Sequence, residues 1–566
     1  MKQAIADLLK KALEKSNIPM EKEEIIKLIE IPPSSELGDY AFPCFSFASK
    51  LRMNPKDIAI NLRKNIQGYS EENFEDIQIQ GAYINFFLNK KNLAKKIVDE
   101  VLFKKNNFGK TDLGKRNKTM VEFLSPNTNK PLHLGHLRNM AIGESISRIL
   151  NYNGEKVIKA NLNNDRGIHI CKSMAAYKMY GKNKKPGKEK SDHFVGNFYV
   201  MFNEKYKKNE KLEIESHRLL QKWEQGDKET LALWDKMNKW ALNGHKKTIQ
   251  TFGISFDKEY YESNIYKKGK EIILEGVKKG IFEKKKDGSV SVNLEKGLGE
   301  KILLRMDGTS IYITQDIYLA KLKFDEFKLN RSIYVVGNEQ EYHFNVLFEI
   351  LNRLGFKKGG LRHLSYGMVN LPEGKMKSRE GTVVDADDLI EKVQELVKKE
   401  LNSREKLSKK ELEERSIKIA LSAIKYMLLK VDSKKNMLFN PKESINFEGD
   451  TGPYLLYSYA RANSVLKKAK SKRKKEESYS LVKEESELAK KIFQFPEMVS
   501  KYYQTLNPSI IAVYSCQLAQ IFNEFYQSCP IVGSDNERFR ISLVKAFMQT
   551  MKNSLWLLGI ETIDRM

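Results

Sequence analysis

Cysteine is scarce in this chain, and so is any long apolar run. Four cysteines in 566 residues (Cys44, Cys171, Cys516 and Cys529) form no CxxC pair. That pattern argues against a disulfide scaffold or a zinc knuckle and fits a reducing compartment, so a cytoplasmic location is expected. No stretch approaches the ~18 apolar residues of a membrane span, so no membrane partner is expected. The opening "MKQAIADLLKKAL" lacks the core of a signal peptide. Its Ile5, Leu8, Leu9 and Leu13 recur at helical spacing and predict an amphipathic helix instead. Negative charge is the third shortage: 73 acidic side chains face 99 lysines and arginines, a net charge of +26. A polyanionic partner is the physical reading, because basic surface gains affinity by releasing counterions from phosphates. A lysine-rich, merely solvated surface accounts for the same number.

What is present is enough for several domains, with 41% apolar residues to build their cores. Residues 1–115 read as a first unit, opened by helical periodicity. It continues through the turn-rich "IPPSSELGDYAFPC" to "IQIQGAYINFFLN", which alternates like strand. The basic stretch "FKKNNFGKTDLGKRNK" reads as a linker. From 116 to 400 short apolar runs ("TMVEFL", "KVIKANL", "SIYVVG") alternate with helical patterns, the signature of a parallel α/β sheet. Asp192 to His245 is charged and helical and reads as an insertion into that sheet. Residues 401–566 read as helical, with no convincing strand. There is no internal repeat, and the lysine run at 467–475 reads as solvated low-complexity sequence.

Two stretches carry chemistry. "SPNTNKPLHLGHLRN", Ser125 to Asn139, lies between the strand-like "TMVEFL" and a helix whose apolar side is Leu137, Ile142, Ile146 and Ile149, stopped at Asn153-Gly154. Ligands of open α/β sheets bind outside the carboxyl ends of the strands. A helix N-terminus there offers unpaired N–H groups to phosphate. Gly135 permits close approach, and His133 and His136 can donate to phosphate oxygens. As a metal pair they lack an evident third ligand, and alone an HxxH pair is as well explained structurally. The second stretch is "LPEGKMKSREGTVVDADDL", where Gly374 and Gly381 bracket a basic loop. A flexible lysine loop suits a triphosphate whose charge grows in the transition state; alone, it also fits a solvated turn.

Taken together, "HLGH" and "KMKSR" resemble the two signatures of class I aminoacyl-tRNA synthetases. "VEFLSPNTNKPLHLGHLRN", "DGTSIYITQDIYLA", "IYVVGNEQEYHF", "GDTGPYLLYSYAR" and "GDYAFPCFSFASKLRMNP" resemble the arginyl branch of that family over essentially the whole chain. The resemblance implies a Rossmann-like α/β catalytic core, an α+β N-terminal domain that approaches the tRNA elbow, and an all-α anticodon-binding domain. It implies ligation of arginine to tRNA(Arg) through an arginyl-adenylate, with ATP and its Mg²⁺ as a substrate complex, no protein-bound metal site, and a monomer.

Residue by residue, the resemblance assigns ATP to His133, Gly135, His136, His343, Met368, Lys375 and Ser378. It assigns the guanidinium to Glu122 and Asp316, with Tyr312 and Gln340 lining the pocket, and the α-amino end to Ser125 and Asn127. Gln80, Tyr83 and Asn85 match D-loop contacts, and Tyr454, Tyr457 and Tyr459 offer stacking platforms of which at least one is core. The fourth position of the KMSKS pattern is Ser378 rather than lysine, and Lys130 is expected to supply the missing cation while Lys377 stays solvated. A site built to hydrogen-bond its substrate rejects analogues lacking those groups, so no editing domain is expected. Two readings compete: a tRNA-independent adenylating ligase, which has no use for the flanking domains, and an inactive RNA-binding relative, in which a signature should have eroded.

Overall fold

The computed structural model describes residues 2–66, 73–205, 209–295, 297–309, 311–356, 360–372, 384–469 and 481–566. Contacts group the chain into two units. One is Met1–Asn106 with Val465–Gln494 and Ile521–Gln549; the other is Asn107–Ser464 with Phe495–Gln520 and Thr550–Met566.

The first unit is built on an antiparallel sheet of β1 (Tyr40–Pro43), β2 (Phe74–Gln80) and β3 (Tyr83–Leu88), with β3 central. The alternation read in "IQIQGAYINFFLN" is the β2–β3 hairpin, turned at Gly81, whose φ of +59° suits a residue without Cβ. Helix Lys2–Lys15 forms as its periodicity predicts and buries Ile5, Leu9 and Leu13. They join Phe42, Ile58, Leu62 and Phe86 in one core. The later segments enter this unit through buried contacts of their own. Glu485 is fully buried and takes a 2.6 Å bond from Arg540, and Lys490 reaches Asp39 at 3.1 Å.

The second unit carries a five-stranded parallel sheet. Its strands are β4 (Lys118–Glu122), β5 (Lys156–Asn163), β6 (Lys258–Tyr261), and, after a small antiparallel sheet of β7 (Glu283–Lys284), β8 (Val290–Leu294) and β9 (Gly299–Leu304), β10 (Arg331–Gly337) and β11 (Leu361–Tyr366). The order is β11-β10-β4-β5-β6. The chain runs outward from β4 to β5 and β6, then returns to β10 and β11 on the other side. The switch point of this doubly wound sheet therefore lies between β4 and β10, the place at which open α/β sheets bind their ligands.

Helix Leu134–Tyr152 follows β4 and is buried on nearly every side. Leu137, Ile142, Ile146 and Ile149 face the core as expected. A Cβ at Gly143 would run into the Phe123 ring, so glycine lets helix and strand close up. The insertion consists of helices Ser191–Lys205, Glu210–Glu224 and Lys228–Thr251. Residue 400, read as a boundary, falls inside helix Ala386–Arg404. The expectation of a strand-free C-terminal third needs one correction: β13 (Met437–Leu438) pairs in parallel with β12 (Val369–Asn370). Two residues are too few for any alternation to register in sequence.

Candidate active site

The loop after β4 bends sharply, with Leu124 and Ser125 at φ +83° and +48°. Amides hold this strained bend. The Ser125 N–H donates to Asn161 Oδ1 at 3.0 Å, and Asn164 Nδ2 donates to the Ser125 carbonyl at 3.0 Å. Exposed Asn127 is bridged by backbone to Asn164. Asn139, one helical turn inside the next helix, accepts from the Leu124 N–H at 2.5 Å and donates to Val335 of β10 at 2.8 Å. One side chain thus ties both strands of the switch point, a role no sequence pattern announced.

His133 caps the helix. Its Nδ1 accepts from the Gly135 N–H at 3.1 Å, and His136 Nδ1 accepts from the His133 N–H at 3.0 Å. Burial, and then the nearby Lys130 charge, lower the His133 pKa to about 4. Burial, His133, His245 and Lys130 lower that of His136 well below its usual value. Both rings are therefore neutral at physiological pH, and each uses Nδ1 as an acceptor. The proton of each must sit on Nε2, which is left as a donor. Two such donors at a helix N-terminus suit phosphate oxygens. The Lys130 ammonium lies 5.1 Å over the Tyr199 ring, and the Lys130 carbonyl accepts from His245 Nε2 at 2.7 Å.

Lys375, Lys377 and Ser378 lie outside the described residues, but both flanks of their loop are described. Before it, exposed Met368 gives its carbonyl to Arg138, a fully buried guanidinium that also donates to Ser433 and Lys435. After it, the Leu134 N–H donates to Val384 at 2.8 Å and the Ala386 N–H to Leu132 at 3.0 Å. The first signature is thus joined through backbone to the segment that follows the second. Asp387 is held further by Lys190 (2.7 Å) and His193 (3.1 Å) from the insertion. Burial alone would raise the Asp387 pKa, but His193 and Lys190 bring it to about 2. Asp192, His193 and Asp387 could otherwise hold a cation among them; here the Lys190 ammonium bonds both acids.

The acids expected to meet arginine have unlike partners. Glu122, the last residue of β4, forms an ion pair with Lys323, which is 0% exposed and lies 4.7 Å over the Tyr334 ring. Asp316 accepts a 2.7 Å bond from His343 Nε2, both side chains being 32% exposed. The bond to Asp316 raises the His343 pKa against the opposing effect of burial. Tyr312, 75% exposed, stands one turn before Asp316 on helix Tyr312–Phe327, and Gln340 is exposed on the turn after β10. Glu262, which the sequence reading passed over, lies within the field of Asp316; burial pushes its carboxyl up to about 7 despite Arg166.

In the first unit, Tyr83 makes an edge contact with exposed Phe45 at 5.3 Å beside exposed Gln80. Asn85 is 4% exposed and donates to Gln80, so it supports that amide rather than presenting its own. In the second unit, half-buried Tyr457 lies under Arg461, Tyr454 is half-buried and Tyr459 is core.

Comparison with known proteins gives three family matches. Residues 1–88 match the arginyl tRNA synthetase N terminal domain, 97–440 the class I (R) tRNA synthetase catalytic domain, and 455–566 the DALR anticodon binding domain. An arginine–tRNA ligase of Treponema denticola is 48% identical, covering 95% of this chain and 94% of its own length. One from Borrelia hermsii is 43% identical, covering 100% and 99%. Among solved structures, arginyl-tRNA synthetase of Thermus thermophilus superposes with TM-score 0.83 at 25% identity over all of both chains.

Proposed function

The chain belongs to the arginyl-tRNA synthetases of class I and ligates L-arginine to its tRNA, and from that premise we propose how its residues divide the work. The arginine carboxylate attacks the α-phosphate of ATP and pyrophosphate leaves. The arginyl group then passes from the adenylate to the terminal ribose of tRNA(Arg), releasing AMP. A carboxylate is already a nucleophile at neutral pH, so positioning and charge stabilisation supply the rate.

His133 and His136 hold ATP oxygens through Nε2–H, with Gly135 letting the phosphates approach. Lys130, Lys375 and Ser378 serve the phosphates, His343 and Met368 the rest of the nucleotide, and Mg²⁺ arrives with ATP. Asp316 receives the guanidinium, with Glu122 behind it as the paired acid, Tyr312 and Gln340 at the rim, and Ser125 and Asn127 at the α-amino end. Gln80 and Tyr83, braced by Asn85, meet the D-loop, where an aromatic ring and amides suit unstacked bases. Tyr454 and Tyr457 meet the anticodon arm. The protein acts as a cytoplasmic monomer.

The neutral histidine pair, held by its own cap at the N-terminus of the helix that follows β4, carries this reading. Arginine-dependent exchange of pyrophosphate into ATP, run with and without tRNA(Arg), tests it. We expect exchange with arginine and charging of tRNA(Arg). Exchange without any charging would indicate a small-molecule ligase, and absence of both an inactive RNA binder.

A further inference from the structure

The two acids of the arginine pocket are already occupied by bases of this chain, and the two pairs differ in kind. Lys323 and Glu122 are sealed: the ammonium is fully buried, with the Tyr334 ring at 4.7 Å and the Tyr260 ring at 5.8 Å. Removing either partner strands a buried charge, so this pair does not open for a ligand. His343 and Asp316 are about one-third exposed, and their single 2.7 Å bond faces a site that solvent reaches. A guanidinium offers Asp316 two parallel N–H donors where the imidazole offers one.

We propose that His343 is a positioning residue of the arginine pocket: it holds Asp316 before arginine binds and yields it to the guanidinium, which makes arginine binding proton-coupled. Lys323, by keeping Glu122 neutralised, confines the exchange to Asp316. The step balances simply. Asp316 exchanges one hydrogen-bond donor for another and arginine keeps its charge. The imidazolium, losing its carboxylate and facing a second cation, releases its Nε2 proton to solvent. The neutral ring is then free for the nucleotide contact assigned to it, so that arginine would prime the ATP side.

Among the described residues, the charged surroundings of His343 are few. Asp316 faces it from helix Tyr312–Phe327, and Glu339 and Glu341 flank it on its own segment. From β11 comes His363, stacked on the neighbouring Phe344 at 4.4 Å and kept toward neutrality by burial. Glu262 also feels Asp316, and its carboxyl, near 7, is the rival proton source that the test must separate from His343.

This inference rests on the placement of arginine at Asp316, and calorimetry with the full chain and free arginine separates the two. Titrations near pH 7 in buffers of different ionisation enthalpy count the protons released. We expect a measurable fraction of one proton from the wild type, the same from Glu262→Gln, and none from His343→Gln, whose amide bonds Asp316 without titrating. Unchanged release in His343→Gln, or its loss in Glu262→Gln alone, would overturn the proposal. Wild-type affinity gives a second reading should His343→Gln fail to fold. It should rise with pH until His343 is neutral, by up to about tenfold per pH unit for one linked proton. A flat profile would overturn the exchange. Asp316→Ala binding arginine as well as the wild type does would sink the pocket itself; loss of binding there with an unaltered proton count in His343→Gln would sink only the role of His343.

Discussion

At the residue scale, burial decides which groups near the phosphates can be cations. His133 and His136 are neutral, so they contribute dipoles and not charge. The cation whose field both rings register is Lys130, which contributes to lowering the pKa of each. It follows Asn129, a buried amide that donates to His169, and its own carbonyl is fixed by His245, so its backbone is held on both sides. Among the described residues its ammonium rests over the Tyr199 ring, a contact worth roughly 0.5–1 kcal/mol at exposed sites and easily exchanged for a phosphate oxygen. On the proposed assignment, Lys130 replaces the lysine that the KMKSR sequence lacks at Ser378. Losing a phosphate contact made mainly in the transition state costs ~2–4 kcal/mol, or roughly 30- to 1,000-fold in kcat. Lys130→Ala should show that loss in pyrophosphate exchange and Lys377→Ala should stay within about threefold of wild type, a difference of ~0.65 kcal/mol. The reverse ranking would assign the compensating charge to the loop.

At the scale of elements, helix Leu134–Tyr152 does more than point its N-terminus at a ligand: through Arg138 it grips the strand that leads into the lysine loop. The guanidinium spans three carbonyls, of Met368, Ser433 and Lys435. A lysine ammonium is a point donor on a flexible stem and cannot reproduce that fork. Arg138→Lys should therefore lose most of what Arg138→Met loses, about 3–5 kcal/mol by analogy with other broken buried charge contacts. Thermal unfolding checks this, and Arg138→Lys melting with the wild type would remove Arg138 as the clamp. Elements like β4, β5 and β10 were legible because their apolar runs are long enough to show a pattern, and the His133–His136 pair at a helix N-terminus because its residues lie three apart in sequence; the mutual cap they form was not. Arg138 was not legible: its carbonyl partners lie 230–297 positions away, and within the helix it reads as a polar face. Asn139, Lys323 and Glu262 were hidden for the same reason, and so was the choice of partner for each pocket acid. Asp316 could be read as a guanidinium ligand, but its hold by His343, 27 residues on, is a fact of tertiary packing alone.

At the scale of the whole molecule, the charge of +26 must be weighed against what the ion pairs absorb. Many lysines face carboxylates at helical spacing, such as Lys104–Glu100, Lys239–Asp235 and Lys279–Glu275, and such exposed pairs contribute little to stability. Pairing cannot remove the excess, because acids run out before bases do. A surface so biased attracts any polyanion. No helix among the described residues is long and apolar enough to cross a membrane, and a tRNA backbone is the polyanion that the established reaction supplies. Neutralising phosphates releases counterions, so the logarithm of the association constant should fall linearly with the logarithm of salt concentration. For about 6–10 contacts the loss is ~10³–10⁵ between 50 and 200 mM. Arginine affinity, set by a short-range pair in a partly buried pocket, should change far less over the same range. Equilibrium binding of tRNA(Arg) and a non-cognate tRNA across that salt series separates the two kinds of contact. Both should fall with similar slopes, because phosphates carry no sequence information, while a constant gap between them measures base recognition. A slope near zero for both would mean that the lysines only solvate the surface. A gap that closes as salt rises would place recognition in charge, not in Tyr83, Gln80 and the tyrosines of helix Gly452–Lys468.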